Sequence, residues 1–269
     1  MVLDQLSHSD IPAFMDLAAA EGWISSEWEL GLLMESFPEG CFAFRVIDQP
    51  VAFITSVKYD KSGWIGNLVV KKAMRGKGIG SVLMRKALEV LLRAGVETVW
   101  LTASDAGKPI YERVGFAEIG KIIRWKGRGE GGRIRNKREI TVEEAIALDS
   151  LAWGERRCSL IRGICAGGEV FGAEGGFLVL QGHGALMQVG PWVCTEHNDA
   201  PLLLEAALAH AEESREILLD VPEGNFAACA LLASKGFTGT GRTSLMFCGV
   251  KPLYSQDRIY ALGSMGSMG

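Results

Sequence analysis

The stretch Leu68–Leu88, "LVVKKAMRGKGIGSVLMRKAL", decides how this chain is read. It opens apolar and β-branched, passes through a basic turn carrying Gly76, Gly78 and Gly80, and enters an amphipathic run at once. From Ile79 onward, Val82, Leu83, Ala87, Val90 and Leu91 recur at helical spacing, which predicts strand, glycine turn and helix in succession. Successive N–H groups in such a turn can converge on an anion, and the helix dipole adds positive potential there. Arg75 and Lys77 add charge, so the turn reads as a phosphate cradle. Its glycine spacing fits neither the nucleoside-triphosphatase loop nor the dinucleotide fingerprint, and the strands before it look antiparallel.

Working outward, "SDIPAFMDLAAAEGW" and "SSEWELGLLMESF" read as two capped helices, the second ended by Pro38 and Gly40. "CFAFRVI" and "PVAFITSVKYD" form an expected hairpin, and "SGWIGNLVV" is a strand leading into the cradle. Beyond the long helix come the strand "TVWLTA", the short helix "GKPIYERV" and the strand "GFAEIGKIIRW". Glycine and arginine then dominate residues 126–138, "KGRGEGGRIRNKR", without apolar periodicity, and the stretch reads as a linker.

After the linker the pattern repeats. "IGNLVV…TVWLTASDAGKPIYERVGFAEIG" faces "VGPWVC…EILLDVPEGNFAACALLASKGFTGTG", which pairs Gly66 with Gly190 and Thr102 with Asp220. The second copy is shorter between those points by about the length of "RGKGIG". Leu232 stands where the first copy has Tyr111, and Glu196 and Asp199 stand where an anion would bind. The second copy keeps the scaffold and drops the loop.

Composition narrows the classes. The chain has 269 residues, 48% hydrophobic and 22% charged, room for two domains with their own cores. Net charge is −4, which disfavours a general nucleic-acid role. The six cysteines and four histidines are scattered without metal-ligand spacing, so no metal is expected. No apolar run is long enough for a membrane helix and the start lacks a signal pattern, so a cytoplasmic protein without a membrane partner is expected.

The order of strand, "RGKGIG" loop, helix, strand and a helix carrying "PIYERVGF" resembles the GNAT superfamily of acyl-CoA-dependent N-acetyltransferases, over residues 41–125. Residues 140–269 resemble the GNAT-like C-terminal domain that follows an ordinary GNAT domain in a bacterial family. The resemblance implies an α+β fold of two GNAT-like domains, each a mixed, largely antiparallel sheet flanked by helices. It divides the chain into a catalytic domain at 1–127, a linker at 128–138 and a second domain at 139–269. It also implies acetyl-CoA as cosubstrate. Its pantetheine arm would bond Leu68, Val69 and Val70, and its pyrophosphate would rest on Arg75, Gly76, Lys77, Gly78, Ile79 and Gly80. Tyr111 is the implied acid for the departing thiolate.

The acceptor side is less determined. An amine of pKa about 10 must lose a proton before attack, yet the strand before the loop has no carboxylate. Glu27, Glu29, Asp105 and a water relay are open as the base. Trp23, Trp28 and Trp64 are candidate pocket walls, and Asp220, Glu223 and Asn225 candidate amine contacts from the second half. A primary amine on a small molecule is the expected acceptor. The alternatives are a protein lysine or N-terminal amine, or a non-catalytic acyl-CoA sensor. A homodimer contact is one role open to the second domain.

Overall fold

The computed structural model describes residues 2–133 and 138–269. In the first half, β1 (Val2–Gln5) precedes α1 (Ile11–Ala20) and α2 (Glu27–Ser36). Then come β2 (Phe42–Val46), β3 (Gln49–Lys58), β4 (Ser62–Val70), α3 (Ile79–Arg93), β5 (Thr98–Ala103), α4 (Lys108–Glu112) and β6 (Ala117–Arg128). The second half opens with α5 (Val142–Trp153) and α6 (Cys158–Gly167), followed by β7 (Glu169–Gly172), β8 (Gly176–His183) and β9 (Leu186–Cys194). It continues through α7 (Asp199–His210), β10 (Glu216–Pro222), α8 (Phe226–Ser234), β11 (Thr238–Gly249) and β12 (Ile259–Ala261). Ile134–Lys137, inside the stretch read as a linker, lie outside the described residues.

The mixed, largely antiparallel sheet is present, and it is continuous across both halves in the order β1-β2-β3-β4-β5-β11-β6-β10-β9-β8-β7, with β12 on β9. Among the described strands, only β4–β5 and β9–β10 run parallel. The halves exchange a strand: β11 lies between β5 and β6, while β6 lies between β11 and β10. Thr102 pairs with Leu245 and Asp220 pairs with Arg124, as a twofold relation between the halves requires. The backbone beyond β6 also docks on the second half, Gly129 donating to Arg215 O at 2.8 Å and Glu130 to Leu208 O at 2.9 Å.

Local sequence explains the elements that frame the site. α2 is capped by Ser26, whose hydroxyl accepts from the Glu29 amide at 3.1 Å. α3 buries Ile79, Leu83, Met84, Ala87 and Leu91 on one stripe. Gly95, at φ 83°, ends it as Val96 N–H returns to Leu91 O. Between the halves, Trp153 of α5 packs edge-to-face on Trp100 of β5, centroids 5.8 Å apart, and on Trp64 of β4 at 6.5 Å. Such pairs contribute about 0.5–1.5 kcal/mol each beyond area burial. Below them the wholly buried ion pair of Arg157 and Asp149, at 2.7 Å, lies under the Trp153 ring. Among the described residues, no helix is long and apolar enough to cross a membrane.

Candidate active site

β4 and β5 pair only at Ser62–Thr98, Gly63–Val99 and Trp64–Trp100 and then diverge. A bulge between Gly66 and Val69, with Asn67 at φ 54°, turns β4 outward while it stays paired with β3. The inner edge of Leu68–Val70 therefore faces a split. A cavity of about 950 Å³ fills it and extends from the glycine turn, past Leu68–Val70 and Tyr111, to Glu29, Arg124 and Ser264–Gly266.

At one end lies the cradle. Gly76 and Gly78 sit at φ 75° and 78°, a region that disfavours any side chain, and Gly78 is the residue from which α3 starts. Among the described residues, the N–H groups of Gly76 through Ser81 donate to no backbone carbonyl, and for Gly78 through Ser81 the start of a helix requires it. Arg75 behaves differently from its neighbours: its amide donates to Lys72 O at 3.2 Å and its guanidinium bonds Val70 O at 2.9 Å and Glu21 at 2.6 Å. It braces the turn. Lys77 is exposed and outside the cavity lining. Two arginines that sequence reasoning did not single out, Arg85 and Arg113, line the cavity. Arg85 was visible in the quoted stretch as a cation five residues beyond Gly80; nothing in sequence marked Arg113.

Tyr111 lies on the cavity wall from α4, its ring edge-on to Phe116 at 6.2 Å. Burial pushes its phenol up to about 12, so it stays protonated at neutral pH. α4 is held by Lys108, which reaches Glu118 of β6 at 2.6 Å.

At the far end Glu29 is 5% exposed and lines the cavity, its carboxylate receiving the Ser267 hydroxyl. Arg124, Thr243, Ser264, Met265 and Gly266 complete this end, so it is built from both halves. Trp23, 40% exposed, also lines the cavity. The other expected acceptor residues are elsewhere. Glu27 and Asp105 are exposed and outside the lining, and Trp28 packs its indole on Gly167 of α6. Trp64 is core. Asp220 is fully buried and bonded to Arg124 at 2.7 and 2.8 Å, which leaves it out of reach of an amine. Asn225 caps α8 through Ala228 N–H at 2.9 Å and donates to Asp257 O and Ile259 O, so its amide is fully engaged. Glu223 pairs with Arg242.

The equivalent split in the second half, between β9 and β10, is filled by the chain itself. β12 pairs with β9 there, and Leu262 N–H donates to Asp220 O at 2.8 Å. Gly190 admits this strand: a Cβ on it would fall 1.8 Å from Leu262 O. At the place of the glycine turn, the Asp199 carboxylate accepts from Gly175 N–H at 2.7 Å. Leu232, at the place of Tyr111, is wholly buried. Among the described residues, no group of three or more His, Cys, Asp or Glu could hold a metal ion.

Similarity to known proteins follows the same division. The GNAT acetyltransferase family model matches residues 4–116, and a second GNAT acetyltransferase domain model matches residues 145–261. An uncharacterized N-acetyltransferase of Methanocaldococcus jannaschii is 27% identical over 110 residues, 37% of this chain and 49% of the relative. The match thus spans about half the length of that archaeal relative. The ribosomal protein bS18 alanine N-acetyltransferase of Haemophilus influenzae is 26% identical over 110 residues, 39% of this chain and 75% of the relative. A crystal structure of a candidate acetyltransferase from Pyrococcus horikoshii shares the fold with a TM-score of 0.86 and 23% identity, over 100% of this chain and 95% of the other. With a family match in each half and a shared fold end to end, this chain belongs to the GNAT acetyltransferase family, in tandem form.

Proposed function

We propose that this chain transfers the acetyl group of acetyl-CoA to the primary amine of a small molecule, by direct attack within one ternary complex. The observation that carries the reading is the continuity of one cavity. The amide cradle, the free strand edge, the Tyr111 phenol and the Glu29 carboxylate all line it.

The amides of Gly76–Ser81 hold the pyrophosphate, with Arg85 and Arg113 close by for further phosphate charge. The main chain of Leu68, Val69 and Val70 orients the pantetheine arm as an added strand. Tyr111 gives its proton to the departing thiolate. Glu29, at the opposite end, takes the proton that an acceptor ammonium must lose, and its negative charge draws a cation into the pocket. Of the carboxylates open as the base, it is the one on the cavity. A second reading, acetylation of a protein amine, is favoured by the likeness to the ribosomal-protein alanine acetyltransferase. Enclosure of the acceptor end by Ser264–Gly266 from the second half favours the small molecule.

Thiol release from acetyl-CoA, measured across small amines, polyamines, amino acids and peptides, tests the choice. Acetylated small amines are expected, with release abolished in Gly78→Glu. Acetylation confined to peptides would establish the second reading, and failure of the wild type to bind CoA would overturn both.

A further inference from the structure

We propose that the Met265–Gly266 segment is the floor of an acyl pocket and limits the enzyme to short acyl groups of two or three carbons. The inference rests on the reading above that the β4–β5 split takes the thioester arm.

After filling the second split as β12, the chain crosses to the first and bridges its closed end. Thr102 of β5 donates its hydroxyl to Met265 O, and Asn67 N–H of β4 donates to Gly266 O at 3.1 Å. The peptide therefore spans the two strands two to three residues beyond their last pair, Trp64–Trp100. An arm entering from the cradle along Val70, Val69 and Leu68 runs toward it.

The floor is fixed from behind. Met265 N–H donates to Asp220 at 3.1 Å, and Gly269 N–H closes a turn onto Ser264 O at 3.1 Å. Tyr59 donates to Met268 O and Arg157 to Gly269 O. Ser267 and Met268 are buried, while Met265 and Gly266 face the cavity. The approach is tight: a Cβ on Gly66 would fall 2.4 Å from Gly266 O and 2.6 Å from Ser267 Cα. Met265 is the yielding part, a flexible thioether beside Thr243. The backbone around it is tied at every polar atom named above. A floor of this kind accommodates one further methylene by moving Met265, and longer chains meet fixed main chain. Each methylene that does not fit costs about 10-fold or more.

Calorimetric affinities of CoA, acetyl-CoA, propionyl-CoA, butyryl-CoA and hexanoyl-CoA for the full chain test this without an acceptor. For the wild type, hexanoyl-CoA is expected at least 10-fold weaker than CoA. Met265→Ala should narrow that ratio at least 10-fold. Hexanoyl-CoA binding the wild type as tightly as CoA, or an unchanged ratio in folded Met265→Ala, overturns the proposal. Free CoA, which has no acyl group, separates the two readings. If CoA itself does not bind the wild type, the cradle fails and the floor with it.

Discussion

Thr102 and Asp220, equivalent positions in the two halves, hold opposite sides of the same residue: Thr102 donates to the Met265 carbonyl, and Asp220 accepts from the Met265 amide. The two ends of this clamp differ in what they carry. Thr102 makes one neutral hydrogen bond, whereas Asp220 is fully buried and also neutralises Arg124 through two bonds. Thr102→Val should therefore cost about 1 kcal/mol, the net value of one hydrogen bond. Asp220→Ala leaves the half-buried Arg124 guanidinium unpaired beside the Met265–Gly266 segment and should cost about 2–3 kcal/mol. Urea denaturation of the two variants measures both; equal losses would contradict this division of roles.

The glycines of the cradle separate conformational demand from clearance. Gly78, at φ 78°, has open space where a Cβ would go, so Gly78→Ala is opposed by backbone strain alone, about 1 kcal/mol. Gly80 has no such φ, and its Cβ would meet only Val70 at 3.8 Å. Gly80→Ala should raise helix stability by up to about 1 kcal/mol. If the turn is a cradle, the same change weakens CoA binding, because Gly80 and the Val70 that the added methyl would face both line the cavity. Thermal unfolding and calorimetry on this one variant should thus move in opposite directions.

Much of this site was legible because its signals are local. The glycine turn, the helix after it and the tyrosine helix are written within contiguous stretches whose spacing fixes their geometry. The repeat pairing of Gly66 with Gly190 and Thr102 with Asp220 was also readable, though the reason for it was not. Both glycines make room for the chain's last segment, "LGSMGSMG", which has neither a helix nor a strand period and acquires its place only through tertiary crossing. The exchange of β6 and β11 was hidden for a similar reason, since a strand's alternation is the same whichever neighbour it pairs with. Trp28, Asp220 and Asn225 carried residue types suited to a pocket, but Trp28 packs its indole on Gly167, and Asp220 and Asn225 are buried with engaged partners.

Tyr111→Phe keeps the ring against Phe116 and removes only the hydroxyl. Turnover should fall about 100-fold, the usual weight of a general acid, with CoA affinity little changed. Because burial raises the phenol to about 12, the wild-type hydroxyl remains protonated through pH 10. An alkaline loss of activity below pH 10 must then survive in the Phe variant at the same midpoint. Disappearance of that limb in Tyr111→Phe would show instead that the phenol titrates near its ordinary value.

Glu118 ties the tyrosine helix to the exchanged strands, and its titration can be followed. Lys108 first, then Ser244 and Lys121, hold its carboxyl at about 2 against an ordinary 4.5. A carboxyl depressed in the folded state stabilises it fully above the unfolded value, and the contribution disappears as pH falls from about 4.5 through about 2. Glu118→Gln should therefore lower stability at pH 7 by about 1–2 kcal/mol, after allowance for partial solvent screening. The gap between wild type and variant should close between pH 5 and about 2. Since Lys108 begins α4, the variant should also reduce turnover at pH 7 through misplacement of Tyr111. Denaturation across that pH range, paired with turnover at pH 7, checks both halves of the expectation. A stability gap that persists unchanged at the acid end would mean the carboxyl is not held by these cations.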